Sequence, residues 1–120
     1  MISRHFKRAE FACSCGCGFD TVDQGTLEIL EAVRTHFGAP VIVTSGCRCP
    51  AHNATVGGVP NSQHVLGRAA DIKVRNAAPL TVRDYIARHF PQASLGLYAT
   101  FVHVDTRSNG PARWPVGQEG

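Results

Sequence analysis

The stretch Ser62 to Asp71, SQHVLGRAAD, constrains this chain more than any other, because it sets His64 and Asp71 seven residues apart around a glycine turn at Gly67. A neutral imidazole and a carboxylate are both first-choice ligands for Zn²⁺. Beyond Gly67 the segment RAADIKV alternates with period two, so Ala69, Asp71 and Lys73 point one way and Ala70, Ile72 and Val74 the other. Asp71 is therefore expected on a strand, on the face opposite the apolar residues. A second alternating stretch, TFVHVDTR, puts Phe101, His103, Asp105 and Arg107 on one face and Val102 and Val104, with Thr100 and Thr106, on the other. With these two strands side by side, His64, Asp71 and His103 converge on one tetrahedral metal whose fourth position is left to water. That is the pattern of catalytic rather than structural zinc.

The motif Ser-x-His-x-x-Gly-x-Ala-x-Asp, followed by a histidine on a later strand, resembles the zinc D-alanyl-D-alanine carboxypeptidases and related peptidoglycan peptidases, whose fold is shared with lysostaphin and the hedgehog signalling domain. Ser62, His64, Gly67, Ala69 and Asp71 fill every fixed position. Upstream, TSGCRCPAHNATVGGVPNSQH is similar to the family's strand, arginine and Gly-Gly approach to the metal. Downstream, LGLYATFVHVDTR and the Ala-Arg-Trp at 112 to 114 resemble the end of its short single-domain branch. The resemblance spans residues 5 to 114.

Several expectations follow from it. The site would hold one catalytic Zn²⁺ and hydrolyse an amide in a peptidoglycan stem peptide. Arg48, in the element SGCRCP, would bind the substrate's C-terminal carboxylate, whose planar shape matches the guanidinium fork. Ser62 would hydrogen-bond substrate backbone, its simpler role being a loop cap. Many relatives carry Asp or Glu as general base three residues before the second metal histidine, and that position here is Thr100. Asp105, two residues after His103 and facing the same side, is left with two roles, catalytic base for the metal's water or orienting partner of His103. His52 and His89 are expected to be a loop residue and a helix-face residue, and His36 a surface residue near a helix C-terminus. Three functions stay open: a D-Ala-D-Ala carboxypeptidase, an endopeptidase such as a phage lysin or tail protein uses, and a zinc-stabilised wall-binding domain without catalysis.

At 120 residues the chain is expected to be one domain with a single core. A charged fraction of 18% beside 43% hydrophobic residues describes an ordinary soluble globule. No apolar run approaches a membrane span, and MISRHFKRAEF lacks the apolar stretch of a signal peptide, so cytoplasmic location, export by another route and prior trimming all stay open. A net charge of +3 suits an acidic partner such as a cell wall but is too weak to argue nucleic acid, and monomer is the default state.

The five cysteines fall in two tight clusters, Cys13, Cys15 and Cys17 in CSCGC and Cys47 and Cys49 in CRC. Two disulfides between the clusters, a second zinc held by thiolates, and reduced cysteines serving as small hydrophobes all remain open. Either form of cross-link ties the N-terminal loop beside Arg48.

Along the chain, residues 1 to 22 read as an irregular arm with one or two short turns. Leu27, Leu30, Val33 and Phe37 recur at helical spacing between an Asp23 N-cap and a stop at Gly38 and Pro40. PVIVTSG reads as a central strand, and PAHNATVGG as one helical turn begun by Pro50. A second helix follows in NAAPLTVRDYIARHF, its apolar face built from Leu80, Val82, Tyr85, Ile86 and Phe90. SLGLYATFVHVDTR is a strand, or a hairpin broken near Gly96, and residues 108 to 120 form an extended tail with Trp114 docked. The fold class is then α+β: a small, mostly antiparallel sheet with the metal on one face and helices on the other.

Overall fold

A computed structural model describes residues 2–58 and 62–114. The parts of the approach loop at 59–61 and of the tail beyond Trp114 lie outside the described residues. The elements in chain order are a 3-10 turn (Arg8–Phe11), α1 (Gln24–Phe37), β1 (Val41–Ser45), α2 (Pro50–Thr55), β2 (Ala69–Val74), α3 (Pro79–His89), β3 (Ser94–Leu97), β4 (Val102–Asp105) and β5 (Arg113–Trp114). The strands form one sheet in the order β1-β2-β4-β3-β5. β1 with β2, β2 with β4 and β3 with β4 run antiparallel, and β5 joins β3 in parallel, so the sheet is mixed.

The alternation along β2 and β4 decides the layering. Ala70, Ile72, Val74, Val102 and Val104 are all buried and join Leu95 in a core completed by Leu27, Leu30 and Val33 of α1 and Val82 and Ile86 of α3. α1 begins where the Asp23 side chain accepts a hydrogen bond from the Thr26 N–H, and it ends at Gly38. Pro79 opens α3 at a position where its missing N–H costs nothing.

The structure corrects three local expectations. β1 is an edge strand, not a central one: it pairs with β2 alone, and Ile42 on its outer face is 47% exposed. Leu80 is exposed, because α3 turns Val82 and Ile86 to the sheet and leaves its first turn in solvent. The hairpin breaks at Tyr98 to Phe101, where the Tyr98 N–H reaches the Phe101 carbonyl, whereas Gly96 lies inside β3. The amino-terminal arm is irregular apart from its 3-10 turn, and it packs inward: Phe6 and Phe11 are fully buried in the core with ring centroids 5.9 Å apart.

Candidate metal centre

Strand register builds the site. Ser45 pairs with Asp71, Asp71 with His103, His103 with Gly96 and Gly96 with Trp114, so one row of residues crosses all five strands. Residues paired across a sheet lie on the same face, and this face is the one the core leaves open. The third histidine-site member comes from the turn before β2. There Gly67 adopts φ 69, a left-handed conformation open to glycine at little cost, and a Cβ at that position would collide with Thr21. This turn brings His64 back over the strand row.

His64 Nε2 lies 3.2 Å and His103 Nδ1 3.0 Å from the same oxygen, Asp71 Oδ1. All three side chains are buried, and one ligand atom of each falls within 4.8 Å of the others. The outward nitrogens are also committed. His64 Nδ1 stands 2.6 Å from the Gly46 carbonyl, which can only accept, so Nδ1 carries the proton and Nε2 offers its lone pair to the site. His103 Nε2 stands 2.7 Å from Asp105 Oδ2, and an ionised carboxylate likewise assigns the proton to Nε2 and the lone pair to Nδ1. Two imidazoles with their tautomers fixed from behind, together with a carboxylate between them, are a donor set that fits zinc.

Electrostatics follow the same pattern. Burial opposes ionisation of Asp71, but the two imidazoles that face it, His103 and His64, outweigh it and hold the carboxyl well below the usual range. Burial likewise disfavours charge on Asp105, yet Arg107 and His103 keep it ionised. Arg107 donates to Asp105 through Nε at 2.9 Å and Nη2 at 2.6 Å. Burial also works against a charged His103, but the two carboxylates flanking it push its pKa up.

The three ligands open into a cleft of about 280 Å³ that is also lined by Arg48, Ser62, Tyr98 and Phe101. Arg48 follows β1, where its Nε donates to Ser45 Oγ at 3.3 Å and its Nη1 to Asn53 Oδ1 at 3.2 Å. Its Nη2 lies 3.6 Å from Asp71 Oδ2, so the guanidinium sits at the edge of the ligand cluster. Ser62 is buried, and its Oγ accepts from the His64 N–H at 3.2 Å, fastening the turn that carries the histidine. Asp105 is fully buried behind His103 and does not line the cleft. Thr100 is exposed and lines a different depression, beside Val102 on the opposite side of the strand.

Other residues take different places. His52 lies on α2 and not in a loop, with its N–H directed at Cys49 Sγ. His36 stacks on Tyr85 and His89 packs against the same ring at a tilt, between α1 and α3. The five cysteines carry no S–S bond. Cys47 departs from its cluster: it is buried, its thiol donates to the carbonyls of Phe11 and Phe19, and it lies outside the group formed by Cys13, Cys15, Cys17 and Cys49. Burial pushes the Cys47 thiol up, as suits a packed rather than reactive sulfur.

Sequence reasoning overlooked three supports of the site. Asn53 was visible only as part of a helical turn, Arg107 only as a face-mate of Asp105, and Trp114 only as a docked aromatic. The indole of Trp114 lies over Gly96, with its ring centroid 5.1 Å from that of His103, and the Arg107 guanidinium sits 5.4 Å from the indole centroid. The one available signal was the glycine itself: a Gly inside a strand pattern marks a close approach by another group.

An α+β fold that brings Asp71 and His103 from neighbouring strands and His64 from the turn before β2 to one point presents the donor set of a zinc metallopeptidase, and the family match supports action on peptidoglycan. The chain belongs to the Peptidase M15 family, whose model matches residues 4–105. No curated protein matches the chain.

Proposed function

We propose that the protein is a carboxypeptidase that removes the terminal D-Ala from stem peptides ending in D-Ala-D-Ala. The observation that carries this reading is Arg48, a guanidinium in the wall of the metal cleft, held by Ser45 and Asn53 and 3.6 Å from a ligand carboxylate. A cation fixed at that place selects a substrate with a free carboxylate one residue beyond the scissile bond.

His64, Asp71 and His103 would hold the zinc, which when bound polarises the scissile carbonyl and lowers the pKa of water. The chain's own residues do the rest. Gly46 and Asp105 keep protons on His64 Nδ1 and His103 Nε2, so that both imidazoles face inward with lone pairs. Arg107 keeps Asp105 ionised and still. Tyr98 and Phe101, stacked at 4.4 Å, form an apolar wall against which a D-Ala methyl can rest. Of the two roles open to Asp105, its burial and its four hydrogen bonds support the orienting one.

One observation favours a second reading, binding of wall peptide without turnover: among the described residues lining the cleft, Asp71 is the sole carboxylate, and Thr100 stands where relatives carry an acid. Kinetics on a pair of substrates test the first reading. Arg48→Ala should lower kcat/KM on the free-carboxylate peptide by roughly 10- to 100-fold, the value of a charged hydrogen bond. It should leave the already poor cleavage of the C-terminally amidated peptide unchanged. Equal cleavage of both peptides by the unaltered protein would mean endopeptidase action, and tight binding with no product would favour the second reading.

A further inference from the structure

We propose that Cys13, Cys15, Cys17 and Cys49 form a second metal site, a tetrahedral thiolate cage for a zinc-like divalent cation, which pins the Arg48 loop to the amino-terminal arm. Nothing in the peptidase reading requires it, and it does not rest on that reading.

The geometry is that of a ligand cage rather than of a bridge or a core. The Sγ atoms of Cys13 and Cys15 are 3.4 Å apart, those of Cys15 and Cys49 3.6 Å and those of Cys13 and Cys49 3.9 Å. Cys17 completes the group, with all four sulfurs within 4.8 Å of one another. A tetrahedral zinc with Zn–S bonds of about 2.3 Å sets its ligand sulfurs roughly 3.8 Å apart. A disulfide would need a separation of about 2.05 Å. Nor do these cysteines act as small hydrophobes, because Cys15 and Cys17 are exposed and bury nothing.

The surroundings suit thiolates. The Cys49 N–H points at Cys13 Sγ at 3.4 Å, and the His52 N–H points at Cys49 Sγ at 3.4 Å. Backbone donors of this kind stabilise anionic sulfur and orient it towards a metal. Gly16 takes φ 81, which folds the CSCGC segment back so that three of its alternate residues meet one sulfur from 32 to 36 residues away. Each thiol that ligates would release its proton to solvent, so loading is favoured as pH rises.

The placement gives the cage a use. Cys49 follows Arg48 directly, and α2, which Cys49 caps, carries Asn53, the residue that holds the guanidinium. A metal there anchors the α2 side of the Arg48 loop from outside the cleft.

The test is metal stoichiometry and spectroscopy on the full chain under reducing conditions. Two zinc ions per chain are expected in the unaltered protein and one in His64→Ala. One is also expected in Cys15→Ser/Cys17→Ser, which changes only exposed side chains. Cobalt added to metal-free His64→Ala should give sulfur-to-metal charge-transfer absorption in the near ultraviolet, with every cysteine intact. A single zinc lost wholly with His64→Ala, two zincs persisting in the double serine variant, or cobalt without sulfur charge transfer would each overturn the proposal.

Discussion

His103 shows how little freedom a ligand side chain has here. Its ring is held by Asp105 on one nitrogen, faces Asp71 through the other, and is flanked by the indole of Trp114. The Asp105 contact decides which nitrogen carries the proton, and a neutral amide in its place removes the charge that fixes this choice. Asp105→Asn is therefore expected to weaken zinc binding by about 10- to 100-fold, in line with losses of outer hydrogen-bond partners elsewhere. Competition against a zinc chelator measures it. If Asp105 were instead the catalytic base, the same variant would keep its zinc affinity and lose turnover alone. The sequence showed His64, Asp71 and His103 because a motif fixes ligand type and spacing together. It did not show Asn53 or Arg107, because their roles depend on which loop lies beside which strand end.

Two elements make connections that local patterning leaves unstated. β5 is two residues long and holds its place by packing: a Cβ on Gly96 would come within 2.3 Å of the Trp114 ring, and the indole N–H donates to the Tyr98 hydroxyl at 3.0 Å. Gly96→Ala should force the indole out of place and cost about 1–3 kcal/mol, typical of overpacking. A lowered Tm and a red-shifted tryptophan emission would report it, the emission being unambiguous because the chain has one Trp. The amino-terminal arm is clamped to α1 at Glu31, which accepts hydrogen bonds from Ser3 Oγ, the His5 N–H and the His5 ring. Burial opposes ionisation of Glu31, but these bonds prevail and its carboxyl titrates below the usual range. A depressed carboxylate stabilises the fold above its unfolded value, near 4.3, and that contribution disappears as pH falls through the folded value. Glu31→Gln should therefore lower stability at pH 7 and flatten its decline below about pH 4.3, as urea unfolding across that range would show. Helices α1 and α3 and strands β2 and β4 were legible in the sequence, since caps, prolines and strict alternation are local signals. The edge position of β1 and the burial of Phe6 and Phe11 were not, because both follow from strand order and chain path.

The molecule divides its sheet between two duties. One face carries the apolar residues that α1 and α3 cover, while the other carries a row of polar residues from Ser45 to His103 that ends against Trp114. The loops that complete the cleft are anchored to the rigid half: Arg48 leaves the end of β1, and His64 is fastened by Ser62 and Gly46. Among the described residues no helix is long and apolar enough to cross a membrane. In the proposed function this row and His64 together hold zinc, which serves to shorten a stem peptide. The most direct measurement is the mass of products from a D-Ala-D-Ala-terminated muropeptide incubated with zinc-loaded protein. Loss of one D-Ala is expected, abolished by His64→Ala and by chelation, with the chelated protein restored by added zinc. Loss of D-Ala that survives either His64→Ala or chelation would contradict it.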